Sequence, residues 1–92
     1  MSGAKTIVVT GASRGIGATI ALELASRGYS VGCLTRKGAG PEIDVPAALA
    51  PRFVNAQCDV TDEGSVKQSL AAVAVKAGAI HGIVNNAGIH LD

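Results

Sequence analysis

The residues whose types and spacing could do chemistry lie between Thr10 and Gly17, in the run Thr-Gly-Ala-Ser-Arg-Gly-Ile-Gly. Their chemistry follows from missing side chains. Gly11 can take a positive φ, Gly15 lets the main chain approach a ligand, and Gly17 lets a following helix lie close to the preceding strand. Free N–H groups at the start of that helix would face outward, with the positive end of the helix dipole behind them, so a phosphate or pyrophosphate is the natural occupant. The spacing is GxxxGxG and not the dinucleotide fingerprint GxGxxG, and the absence of GxxxxGK excludes a P-loop with its lysine. Twelve glycines in 92 residues will produce some spaced pattern by chance. The worth of the motif therefore rests on its flanks.

Those flanks are a strand and a helix. Thr6 to Val9 is a run rich in β-branched residues, and after the turn Ile16, Ile20 and Leu24 recur every four positions until Gly28 follows Arg27. Ser30 to Thr35 predicts a second, buried strand. Gly38, Gly40, Pro41 and Pro46 mark an irregular loop from Arg36 to Pro46, with a turn of helix over Ala47 to Ala50 that Pro51 should stop. Phe53 to Gln57 predicts a third strand. A helix with Val66, Leu70, Val73 and Ala77 on one face comes next, with Thr61 as its expected cap, Asp62 and Glu63 at its positive end and Gly78 at its stop. Gly82 to Asn85 is the fourth expected strand, and Asn86-Ala87-Gly88 turns out of it.

Strands alternating with helices, each strand apolar on both faces, describe an α/β fold: a doubly wound parallel sheet of Rossmann type. Right-handed crossovers carry the first three strands outward along one face, and the next connection returns past strand 1 on the other, giving the order 3-2-1-4. That reversal opens a crevice at the carboxyl ends of strands 1 and 4. The turns at Gly11 to Gly17 and at Asn86 to Gly88 both open there. An NAD site normally has an acid about 20 residues after the glycines, on the ribose hydroxyls. Here Leu34-Thr35-Arg36-Lys37 occupies that region, Thr35 stands where the acid would be, and Arg14 adds a further charge. This favours NADP(H) over NAD(H). The plainer alternative is that Arg36 and Lys37 are a solvated loop pair.

Composition narrows the remaining classes. Ninety-two residues make one domain, residues 1–92, which buries only about 60 to 65% of its unfolded surface. The chain is 48% apolar, with one Tyr, one Phe and no Trp, so Val, Ile, Leu and Ala must build the core. A net charge of +1 without a basic run or aromatic platform argues against nucleic acid as a partner, and no apolar stretch approaches a membrane span. Without a signal-peptide pattern at the start, a cytoplasmic location is expected. Cys33 and Cys58 stand in no ligand pattern and are expected as reduced packing residues. His81 and His90 lack a second ligand at helical spacing, so no metal is expected.

Thr10 to Gly17 resembles the TGxxxGxG cofactor motif of the short-chain dehydrogenases/reductases, and Asn85-Asn86-Ala87-Gly88 matches that family's NNAG motif. The resemblance covers essentially the whole chain, and its flavour is similar to the 3-oxoacyl-carrier-protein reductase and carbonyl-reductase group. It implies a reversible hydride transfer between a nicotinamide ring and a small-molecule carbonyl or alcohol, in a homo-oligomer. It also implies cofactor contacts from Gly11, Ser13, Arg14, Gly15, Ile16, Gly17, the NADP-branch pair Thr35 and Arg36, Asp59 and Val60 at the adenine, and Asn86, Ala87 and Gly88. Asp59 would serve equally well to satisfy local N–H groups before a helix. The family's proton-transfer residues, a Ser, a YxxxK pair and an Asn, fall beyond the NNAG turn. Here the one tyrosine is Tyr29 and the residue four later is Cys33. The chain thus reads as the cofactor-binding, N-terminal part of such an enzyme, without catalytic residues of its own. Taken alone, it should be weakly stable or self-associating and inactive. The alternative is a non-catalytic NADP(H)-binding or sensing module.

Overall fold

The computed structural model describes residues 4–86. In chain order these form β1 (Thr6–Thr10), α1 (Gly15–Ser26), β2 (Ser30–Thr35), a 3-10 turn (Ala50–Arg52), β3 (Phe53–Gln57), α2 (Glu63–Ala77) and β4 (Ile80–Val84). All pairings are parallel and the order is β3-β2-β1-β4, as the alternation of elements requires. Val9, Ala12, Ala21, Ala25, Val31 and Cys33 form a core under α1, with Leu49 of the β2–β3 connection packed on the same side. Val8, Leu34, Cys58 and Val73 form a second core under α2. The sheet therefore lies between two layers, and consecutive residues of β1 and β2 feed opposite cores.

Four expectations need correction. The packing face of α1 is Gly17, Ala18, Ala21 and Ala25, which are buried, whereas Ile16 is 73% exposed. Ile20 and Leu24 flank the core half-buried. Small residues let the helix axis approach the sheet, so the buried stripe is one position round from the bulky one. Asp62, not Thr61, caps α2: its Oδ1 accepts the N–H groups of Gly64 and Ser65 at 2.9 and 3.3 Å, the contacts an N-cap carboxylate makes best. Pro51 does not stop a turn but lies in the first positions of the 3-10 turn, where its missing N–H is no loss. Finally, β3 is not covered on both faces, and β4, whose edge is expected to be open without further strands, is exposed in the same way. Asn55, Gln57, His81 and Ile83 are exposed along them because they border the described sheet, with Ile83 54% exposed.

The imidazole of His81 has a structural part. Its Nδ1 accepts the N–H of Thr6 at 3.2 Å, where the β1–β4 register is interrupted between Thr6 and Ile7. Cys33 is fully buried, and burial pushes its thiol up to about 12, so it packs as an apolar residue. Gly32 sets the spacing of α2 from the sheet: a Cβ there would stand 2.8 Å from Val73 Cγ1 and 3.2 Å from Val8 Cγ2. The Gly32→Ala variant is expected to lose about 1 to 3 kcal/mol of stability by overpacking, read as a lower urea midpoint at an unchanged slope. An unchanged midpoint would contradict this packing.

Candidate functional site

The turn after β1 is built by long-range hydrogen bonds. Gly11 has φ +63° and donates its N–H to the Leu34 carbonyl at 3.0 Å, which ties the turn to the end of β2. Its own carbonyl accepts from Asn86 Nδ2 at 3.1 Å, across 75 residues of chain. One residue earlier, the Thr10 hydroxyl lies 3.2 Å from Asn85 Oδ1 and 3.4 Å from the Val84 carbonyl. The carboxyl ends of β1, β2 and β4 are thus fastened together around the glycines.

Helix α1 then starts without a side-chain cap. Its N-cap residue, Arg14, is extended at φ −158° and ψ 177°, and the first turn contains no acid. Among the described residues, the N–H groups of Gly15, Ile16 and Gly17 have no acceptor. Gly15 holds φ +64°, with open space where its Cβ would be. Gly17, by contrast, is buried: a Cβ there would collide with the Gly11 carbonyl oxygen and stand 2.7 Å from Asn86 Nδ2. Uncapped N–H groups carrying the positive end of a helix dipole are suited to an anion.

A cleft of about 730 Å³ opens beside this turn. Gly11, Ser13 and Arg14 form one wall, Leu34, Thr35, Arg36 and Lys37 the next, and Cys58, Val60 and Asn86 line it from the ends of β3 and β4. Thr35 is buried; its hydroxyl donates to the Ala39 carbonyl at 2.8 Å and its carbonyl accepts the Cys58 N–H at 2.8 Å, so its work is to shape the rim. Ion pairing among the described residues is confined to Arg27 with Glu23, which leaves Arg14, Arg36 and Lys37 without a carboxylate within 4 Å. Asp59 is not in the lining. Its Oδ1 accepts from the Thr61 hydroxyl at 2.6 Å and the Thr61 N–H at 3.0 Å, and its N–H donates to Ser65 Oγ. The Thr61 hydrogen bonds, with a smaller contribution from the positive charge of Arg36, hold its carboxyl below the ordinary value.

Of the residues expected at the site, Gly11, Ser13, Arg14, Thr35, Arg36, Val60 and Asn86 line the cleft together; Gly15 and Ile16 are exposed outside the lining; Gly17 is buried against the Gly11 carbonyl, and Asp59 lies outside the lining, bonded to Thr61 and Ser65. Ala87 and Gly88 lie outside the described residues. Leu34, Lys37 and Cys58 line it too, although they were not among the expected contacts, and so do Glu42 and Ala39, which the sequence did not mark at all. No periodicity marks them, because the Glu42 N–H reaches the cleft through a bond to the Ser13 carbonyl. Among the described residues, no group of His, Cys, Asp and Glu is placed to hold a metal ion, and no helix is long and apolar enough to cross a membrane.

The family model described as short chain dehydrogenase matches residues 5–92. Farnesol dehydrogenase of Aedes aegypti is 41% identical over 88 residues, 92% of this chain and 36% of that protein. The 3-oxoacyl-[acyl-carrier-protein] reductase MabA of Mycobacterium tuberculosis is 36% identical over 89 residues, 96% of this chain and 32% of that one. Among solved structures, the 3-ketoacyl-(acyl-carrier-protein) reductase of Brucella melitensis complexed with NADH superposes with a TM-score of 0.75 at 26% identity, over 86% of this chain and 32% of that one. The chain spans about a third of the length of the curated relatives it matches.

Two glycine substitutions separate the two kinds of work in the turn. Gly15→Ala is expected to cost about 1 to 2 kcal/mol through its left-handed backbone alone. Gly17→Ala should cost about 1 to 3 kcal/mol by overpacking and also break the Asn86–Gly11 bond, seen as an altered Asn86 side-chain amide resonance. An Asn86 resonance that moves in Gly15→Ala and not in Gly17→Ala would contradict the assignment.

Proposed function

This chain belongs to the short chain dehydrogenase family, and from that premise we propose that it forms the NADP(H)-binding part of an oxidoreductase acting on a small carbonyl or alcohol. The observation that carries the reading is the uncapped start of α1 beside a cleft lined by Arg14, Arg36 and Lys37. The fit is chemical. Main-chain donors at Gly15, Ile16 and Gly17 suit a diphosphate, and the guanidinium groups suit a 2′-phosphate, each charge-assisted bond contributing about 1.5 to 3 kcal/mol. Val60, which is exposed at the cleft, offers apolar surface to an adenine ring, and Asn86 holds the glycine turn in place through Gly11. Ala87 and Gly88 would complete the cofactor wall.

When bound, the nicotinamide supplies or accepts the hydride. In this reading the chain's own residues bind and orient, and among the described residues none is assigned the transfer of a proton to a substrate oxygen. Tyr29, the one phenol, is packed against the α1 core and has no lysine four residues on. In this reading proton transfer belongs to a Ser, Tyr and Lys set beyond the NNAG turn, and the 92 residues alone bind cofactor without turning over substrate. Homo-oligomer assembly is likewise a property of the whole enzyme. A cytoplasmic setting agrees with two free, buried thiols.

Calorimetric titration of the chain tests the reading. NADPH is expected to bind about tenfold or more tightly than NADH, and Arg36→Ala to remove most of that difference. Equal affinity for the two would overturn the roles given to Arg14 and Arg36. Reduction of a carbonyl by the chain alone would overturn the absence of catalytic residues.

A further inference from the structure

Among the described residues, Glu42 is the one acidic residue lining the cleft. It arrives there on a strap that leaves β2 at Arg36 and crosses to the glycine turn. Thr35 Oγ1 pins the strap by donating to the Ala39 carbonyl at 2.8 Å. Gly38 and Gly40 let it lie on β3, since a Cβ at Gly38 would stand 3.2 Å from Gln57 Cβ and one at Gly40 would stand 2.9 Å from Asn55 Nδ2. The far end is held by the Glu42 N–H, which donates to the Ser13 carbonyl. That bond fixes the main chain of Glu42 at the cleft wall and leaves its exposed carboxylate uncommitted, because none of Arg14, Arg36 and Lys37 pairs with it.

We infer that Glu42 is a specificity-determining residue of the cleft: its carboxylate opposes a 2′-phosphate and accepts from the hydroxyls of an unphosphorylated ribose, narrowing the preference that the three cations set. The inference rests on the nucleotide reading above. It assigns to the strap the acid that is missing from the end of β2, where Thr35 stands instead. A carboxylate in a cleft of three cations lowers the local potential felt by a dianionic phosphate, while a hydroxyl pair gains charge-assisted bonds from it.

The experiment compares adenosine 2′,5′-bisphosphate with adenosine 5′-monophosphate, which differ only in the 2′-phosphate, by calorimetry on the full chain. Glu42→Gln keeps the main-chain N–H and so the Ser13 bond. It is expected to raise the ratio of affinities, bisphosphate over monophosphate, by about three- to tenfold, and the gain should shrink as salt is raised. Glu23→Gln, which removes the same charge at the other end of α1, should leave the ratio unchanged. An unchanged or lowered ratio in Glu42→Gln, or an equal rise in Glu23→Gln, would overturn the role of Glu42 while leaving the nucleotide reading in place. A wild-type chain that binds neither nucleotide would overturn both.

Discussion

Helix α1 begins directly beneath the carbonyl of Gly11, at a separation that no side chain at position 17 would permit. That close approach carries the rest of the site. It lets Asn86 reach Gly11 from the end of β4, lets Ala12 enter the core, and leaves the first N–H groups of the helix at an open rim. The two helices show the alternative within one chain. Asp62 closes the start of α2, whereas Arg14 closes nothing at the start of α1. Such donors are satisfied by water or by an anion.

The sheet supplies the lever arms. In the order β3-β2-β1-β4 the chain reverses direction of growth at β1, so the turn after β1 and Asn86 beyond the end of β4 share one crevice although they are 75 residues apart at the Gly11–Asn86 bond. Gly32 and the small stripe of α1 bring the helices close on either face, which buries β1 and β2 between them. Close packing here has a chemical consequence. A turn that must present main-chain donors at fixed spacing gains from a backbone that is already ordered.

Much of this was legible because it is encoded in residue type and order. Alternating apolar strands and helices specify a parallel sheet, handedness then gives its order, and Gly11, Gly15 and Gly17 announce the turn. What escaped reading depends on distances across the fold. The buried stripe of α1 is Gly and Ala, whose weak hydrophobic signal is masked by Ile16, a bulky residue left in solvent. Thr61 and Asp62 are adjacent cap formers, and only the helix start at Glu63 decides between them. Asp59 had two roles open to it, and Thr61 takes one of its oxygens. Glu42 sits in a loop without periodicity and is carried to the cleft by a single main-chain bond to Ser13.

The most direct measurement is a heteronuclear NMR titration of the chain with adenosine 2′,5′-bisphosphate, following the backbone amides. If phosphate is held by the open start of α1 and the cations beside it, the largest shifts will fall on Gly15, Ile16 and Gly17, with a second set at Arg36 and Lys37. Saturable binding that leaves those amides unmoved and shifts residues elsewhere on the sheet would contradict it.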